Sequence, residues 1–141
     1  MNDVAIIGVG LHPFGRFDGK SAMDMGADAV HAALADAGVQ WKDMQFAVGG
    51  SWEIANPPDE IVGSLGLTGL PFTNVFNACA TAASATQVCA DSIRVGRFDI
   101  GIAIGMDKHP RGAFTVDPPT WSGCRSGTGR TASTSPPSSS G

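Results

Sequence analysis

The chain has 141 residues and a formal net charge of −4, with 43% hydrophobic and 16% charged residues. This length suits one domain, and the charge gives no reason to expect nucleic acid or an anionic membrane surface as a partner. The start lacks the pattern of a secretion signal, and no apolar stretch is long enough for membrane insertion. Three cysteines without short repeated spacing argue against a disulfide framework, so we expect a cytoplasmic protein.

Short apolar runs alternate with helical patterns through the first 105 residues. Strands are predicted at residues 4–10, 46–50, 72–76 and 98–105. Helices are predicted from Ser21 to Gly38, from Pro58 to Gly66 and from Thr81 to Val95. Such alternation is typical of an α/β domain with a mostly parallel sheet and helices on both faces.

The first helix carries clear signals at both ends. Ser21 is a helix-capping residue, and Asp24 stands three positions later as the acidic partner of a capping box. Gly38 fits the position just past the last turn, where glycine adopts a left-handed conformation readily. The sequence therefore predicts a well-bounded helix over residues 21–38.

Cys79 lies between a predicted strand and a predicted helix, among small residues. Unpaired N–H groups and the positive end of the helix dipole both favour a thiolate there, which is the nucleophilic form. The alternative is a buried structural thiol, because free cysteine is often buried. Cys89 falls in mid-helix, where we expect buried packing, and Cys124 receives no role.

Other residue patterns exclude two further kinds of site. A dinucleotide-binding loop at Gly8 and Gly10 would need a third glycine at position 13, which is Pro13, and no helix opens there. The histidines and cysteines show no spacing typical of metal ligands, so no metal is expected.

The composition changes after Asp117. Residues 118–141 are nearly all Ser, Gly, Thr and Pro, and we treat residues 1–117 as the folded domain. Such a tail buries too little apolar surface to offset its ordering entropy, which favours disorder. The alternative that we prefer is a shifted reading frame. When residues 120–129 are back-translated with GC-rich codons and the frame is moved to the third base of each codon, the shifted frame can encode an ordinary folded sequence.

The chain resembles the N-terminal part of thiolases, particularly the sterol-carrier-protein-like and lipid-transfer-protein-like branch. The resemblance covers residues 3 to about 117 and rests on the strand at 4–10, the helix at 21–38, the segment at 74–81 around Cys79 and the segment at 105–114. It implies a thiolase-like fold of two similar α/β halves, of which this chain holds an incomplete first half. It also implies a homodimer in the intact protein.

The resemblance further implies an acyltransferase that acts on acyl-CoA or 3-ketoacyl-CoA thioesters, with coenzyme A as a substrate and no tightly bound cofactor. Cys79 matches the cysteine that accepts the acyl group, and its backbone N–H is a candidate oxyanion donor. Thiolases also take a catalytic His, usually in Gly-His-Pro, and a second Cys from their C-terminal half. No residue here matches either motif. His109-Pro110 has the right dipeptide, but it directly follows a strand of the first half. We therefore expect the 141-residue chain to be inactive alone.

Two other functions stay open at this point. One is a ketosynthase-type condensing enzyme, since such enzymes share Asn/Ala-Cys-Ala patterns, and the other is a non-catalytic, lipid-transfer-like partner subunit. Asp107, Lys108 and Arg111 follow a strand end, where they either form a solvated loop or line the catalytic cavity or a dimer contact.

Overall fold

The computed structural model describes residues 2–52 and 57–109. In chain order the elements are α1 (Ala22–Ala37), β1 (Phe46–Gly50), α2 (Val62–Leu65), β2 (Phe72–Val75), α3 (Thr81–Arg94) and β3 (Gly101–Gly105). Short 3₁₀ turns at Trp41–Asp43, Pro58–Ile61 and Ala78–Ala80 precede β1, α2 and α3. The predicted tail at 118–141 and Arg111 lie outside the described residues.

The three strands form a parallel sheet in the order β2-β1-β3. β1 is central: its Ala47 pairs with Phe72 of β2 and with Ile102 of β3. All five residues of β1 are buried, as a continuous apolar run predicts for a parallel strand covered on both faces. The predicted class, an α/β domain with a parallel sheet and helices, is confirmed.

Helices cover the two faces of the sheet separately. On one face α1 packs through Val30 and Leu34 in a cluster that includes Ala47 and Ile104. On the other face Ala85 and Cys89 of α3 pack in a second cluster with Phe46 and Val48 of β1. Alternate residues of β1 therefore point to opposite helices, as the period-2 geometry of a strand requires.

The signals at the ends of α1 work as predicted. Asp24 N–H donates to Ser21 Oγ at 3.0 Å, and Ser21 N–H donates to Asp24 Oδ2 at 3.0 Å, which completes the capping box. The hydrogen bonds from Ser21 hold the pKa of the Asp24 carboxyl below its ordinary value. At the other end Gly38 adopts a left-handed conformation, with φ of 68°.

The prediction of a strand at residues 4–10 is wrong. This N-terminal segment (residues 4–10) is outside the sheet, and β3 pairs with the edge of β1 instead. Several of its apolar side chains are exposed: Ile6 is 79% and Val9 is 69% exposed. The last predicted strand is also shorter than expected, because Phe98 leaves the sheet and stacks on Phe46 with the ring centroids 4.4 Å apart.

No helix within the described residues is long and apolar enough to cross a lipid bilayer.

Candidate active site at the Cys79 turn

Cys79 occupies a sharp turn between β2 and α3. The backbone of Asn77 has φ −150° and ψ 48°, and Ala78 follows with φ of 45°. A positive φ is unusual for a residue with a Cβ, and holding one requires support from its surroundings. The turn therefore stores some strain immediately before the cysteine.

Thr81 supplies much of that support. Its hydroxyl donates to the carbonyl oxygen of Ala78 at 2.6 Å and accepts from the N–H of Asn77 at 2.9 Å. The Thr81 residue is only 4% exposed, so water does not readily replace either bond. The Asn77 side-chain amide also donates to Ser84 Oγ at 3.0 Å, which ties the start of the turn to the first full turn of α3.

Glycines let the start of α3 rest directly on the carboxyl ends of the strands. A Cβ on Gly50, the last residue of β1, would overlap Thr81 Cγ2. A Cβ on Gly105, the last residue of β3, would lie 2.5 Å from Ala82 Cβ. The Cys79 turn is thus fixed against two strands, at the sheet edge where parallel α/β folds place functional groups.

The Cys79 residue itself is exposed. In the turn that follows it, the N–H of Ala80 donates to Asn77 O at 2.9 Å and the N–H of Thr81 donates to Ala78 O. The N–H of Cys79 has no acceptor among the described residues. The predicted position of Cys79 at the junction of strand and helix is confirmed, and the arrangement offers an accessible thiol beside a backbone donor.

Cys89 differs from Cys79 in its exposure to solvent. It is 8% exposed in the α3 cluster, as predicted, and burial raises the pKa of its thiol above the ordinary value. A buried thiol with a raised pKa forms little thiolate near neutral pH. Among the described residues there is thus one exposed cysteine, in the turn before α3, and one buried cysteine, within α3.

Asp107 and Lys108 connect chain segments around the strand ends. Asp107 Oδ1 accepts from Ser51 Oγ at 2.9 Å and from the N–H of Trp52 at 2.8 Å. Lys108 Nζ donates to the carbonyl oxygens of Phe17 and Lys20. Within the described residues these bonds lead to neighbouring loops rather than to Cys79. The sequence predictions for this segment, a solvated loop or a lining of the catalytic cavity or a dimer contact, did not include these hydrogen bonds.

The sequence did not reveal the residues that shape the turn. The sequence predicts Thr81 only as the first residue of a helix and Gly50 only as the end of a strand. The signal was available in part, since a glycine that ends a buried strand is a common place for close approach of another segment. Within residues 2–52 and 57–109, no group of three His, Cys, Asp or Glu side chains could hold a metal ion.

The family model "Thiolase, N-terminal domain" matches residues 4–125. This match covers most of the 141 residues, so the chain belongs to the thiolase family, in agreement with the resemblance drawn from its motifs. The structure is similar to a 3-oxoacyl-[acyl-carrier-protein] synthase III from Aquifex aeolicus, with a TM-score of 0.51 and 15% identity over 57% of this chain and 27% of that one. That likeness shows a shared thiolase-like fold.

Curated relatives agree with the family assignment. Sterol carrier protein 2 of Bos taurus is 31% identical over 120 residues, which are 82% of this chain and 22% of the relative. An acetyl-CoA acetyltransferase of Methanothermobacter thermautotrophicus is 35% identical over 114 residues, 77% of this chain and 30% of the relative. The chain thus spans less than a third of the length of these relatives.

The contrast between the two cysteines leads to a first prediction. In the folded chain carrying Cys124→Ser, iodoacetamide at pH 7.5 should alkylate Cys79 at least about tenfold faster than Cys89. The reason is that the reagent can reach the exposed thiol of Cys79 but not the buried thiol of Cys89. Peptide mass spectrometry over a time course measures both rates. In urea the two rates should converge, and equal rates in the native chain would contradict the described burial of Cys89.

Proposed function

We propose that Cys79 is the acyl-accepting nucleophile of a thiolase-type acyltransferase that acts on acyl-CoA or 3-ketoacyl-CoA thioesters. The observation that carries this proposal is the family match over residues 4–125 together with an exposed thiol at a constrained turn between strand and helix. A nucleophile on such a turn projects from the sheet toward an incoming carbonyl, while its backbone cannot swing away.

The proposed reaction proceeds in two steps. Cys79 Sγ attacks the 3-carbonyl carbon of a 3-ketoacyl-CoA, and the bond between C2 and C3 then breaks. The acyl group stays on sulfur as a thioester, and the carbanion at C2 takes a proton and leaves as acetyl-CoA. The thiol of a second coenzyme A, as it loses its proton, attacks the acyl carbon; the bond from that carbon to Cys79 Sγ breaks, which forms the shortened acyl-CoA and releases Cys79, which regains a proton.

The N–H of Cys79 is positioned to contribute to the first step. It has no acceptor among the described residues, so it is available to an oxyanion that forms on the attacked carbonyl. Proton transfer at C2 needs a general acid and base. No side chain in the described part of the chain forms a hydrogen bond with Cys79 Sγ, so we assign proton transfer to other residues of the intact enzyme, which we propose to be a homodimer without a tightly bound cofactor.

Because we assign the nucleophile to Cys79 and proton transfer to other residues of the intact enzyme, the 141-residue chain should perform only part of the reaction. Incubated with acetyl-CoA, it should gain an acetyl group on Cys79 but should not turn over a 3-ketoacyl-CoA. Intact and peptide mass spectrometry measure the adduct, and free thiol released as coenzyme A should not exceed one equivalent. Cys79→Ser should abolish the adduct, whereas Cys89→Ala should retain it.

Two outcomes would contradict the proposal. One is the absence of any adduct on a folded chain whose Cys79 still alkylates with iodoacetamide. The other is equal acetylation of Cys79 and Cys89, which would indicate unselective chemical transfer. An absence of adduct with normal alkylation would favour a non-catalytic role for the thiolase fold in this protein.

A further inference from the structure

The hydrogen bond between Asn77 and Ser84 is a feature beside Cys79 that the proposed function leaves unused. Its donor is the side-chain amide of Asn77 and its acceptor is Ser84 Oγ, 3.0 Å away. Along the chain Cys79 lies between these two residues. The bond therefore bridges the nucleophilic turn, from the residue that enters it to the first full turn of α3.

The main chain of Asn77 is attached to the same helix. Its N–H donates to Thr81 Oγ1 at 2.9 Å, and its carbonyl oxygen accepts from the N–H of Ala80 at 2.9 Å. Thr81 and Ser84 are three positions apart in α3, so they lie on neighbouring turns of one side of that helix. Asn77 is thus bonded to this side of α3 by its main chain and by its side chain.

The two attachments differ in their exposure to water. Thr81 is buried, whereas Asn77 is exposed and Ser84 is half-buried. Water can replace a hydrogen bond at an exposed site, so such a bond contributes little to the free energy of unfolding. A role for the bond between Asn77 and Ser84 is therefore to be sought in the geometry of the turn.

Acyl transfer to Cys79 depends on that geometry. The sulfur must approach the carbonyl carbon along one direction while the N–H of Cys79 meets the oxygen of the same carbonyl. Ala78, directly before Cys79, has φ of 45°, a conformation that its surroundings must hold. Alkylation by iodoacetamide makes no such demand, because sulfur displaces iodide from a saturated carbon and no oxyanion forms.

We propose that Asn77 and Ser84 are positioning residues for acyl transfer to Cys79. Their hydrogen bond, the Asn77–Ser84 clasp, keeps the turn in the conformation from which the thiol attacks a thioester. Both side chains are neutral, so the clasp restrains the turn without adding charge beside the thiol. This inference rests on the proposed function of Cys79, and it assigns the rate of acyl transfer, rather than the stability of the domain, to the clasp.

Ser84→Ala tests the clasp, and Ser92→Ala is the matched control on the same helix. Ser92 is half-buried like Ser84, and its hydroxyl donates to Val88 O at 2.9 Å, farther along α3. Ser84→Ala should slow acetylation of Cys79 by acetyl-CoA at least about tenfold. Its iodoacetamide rate and its equilibrium constant for folding should change less than about threefold, and Ser92→Ala should leave all three quantities within about threefold. Peptide mass spectrometry over a time course gives the rates, and urea unfolding gives the equilibrium constant.

A conservative variant and a double variant give a readout that a general loss of structure would not produce. Ser84→Thr keeps the hydroxyl and should restore the acetylation rate to within about threefold of the native chain. Asn77→Ala and Ser84→Ala each remove the same bond, so the double variant should be acetylated no more slowly than the slower single variant. Losses that multiply in the double variant would show that the two side chains do not act as a pair.

The acetylation rates also separate a failure of the clasp from a failure of the proposed function. If the native chain is not acetylated on Cys79, the proposed function fails, and the positioning role fails with it. If the native chain is acetylated and Ser84→Ala reacts as fast as Ser92→Ala, the proposed function stands and the positioning role alone is overturned.

Discussion

Gly50→Ala is expected to destabilise the folded chain by about 1–3 kcal/mol and to disturb the Cys79 turn at the same time. The added Cβ would overlap Thr81 Cγ2, so the start of α3 must move away from the end of β1. Thr81 holds Ala78 in its left-handed conformation, and any shift of Thr81 therefore loosens the support of the cysteine. Urea unfolding gives the change in stability, and the iodoacetamide rate of Cys79 reports on the turn.

Gly63→Ala is the matched control. Gly63 lies in α2, its φ is not in the left-handed region, and nothing lies within 4 Å of its Cβ position. Alanine there should be neutral or should stabilise by up to about 1 kcal/mol, because it restricts the unfolded chain. The two Gly→Ala changes should thus have opposite signs. Similar effects of both would show that α3 does not rest on Gly50 as described.

Thr81→Val is the second change with a large expected effect. Valine keeps the shape of threonine but removes the hydroxyl that serves both Asn77 N–H and Ala78 O. Because the site is buried, we expect a loss of about 1–3 kcal/mol in the free energy of unfolding. Thr81→Ser should retain most of the stability, since it keeps the hydroxyl and loses only one methyl group.

Thr86→Val provides the comparison for this change on the same helix. The Thr86 hydroxyl donates to Ala82 O at 3.0 Å, but the residue is exposed, so water can replace the bond. A change within about 0.5 kcal/mol is expected there. If Thr81→Val proved as mild as Thr86→Val, the hydroxyl of Thr81 would not be the support of the turn.

Local signals in the sequence predicted the elements whose stability is decided locally. The ends of α1 are set by hydrogen bonds between the near neighbours Ser21 and Asp24 and by the left-handed conformation of Gly38. The spacing of these residues was therefore sufficient to predict where the helix begins and ends. Cys79 was placed correctly for the same reason, because it falls where one pattern ends and the next begins.

Pairing between strands could not be predicted in this way. The N-terminal segment and β3 are both short apolar runs rich in glycine. The hydrophobic periodicity of the sequence does not predict which of them pairs with β1. The site shows the same limit at smaller scale. An alanine at position 78 carries no sign of a positive φ, which is supported here by Thr81, a residue held against Gly50.

The central position of β1 also constrains how the protein emerges during translation. Phe46 pairs with Gly101, so 55 residues of synthesis separate the two partners. At about 5–20 residues per second, the nascent chain carries a strand with an unpaired edge for roughly 3–11 s. During that interval the edge of β1 that later pairs with β3 is open to other extended chains, so aggregation competes with folding until Gly101–Gly105 has been made.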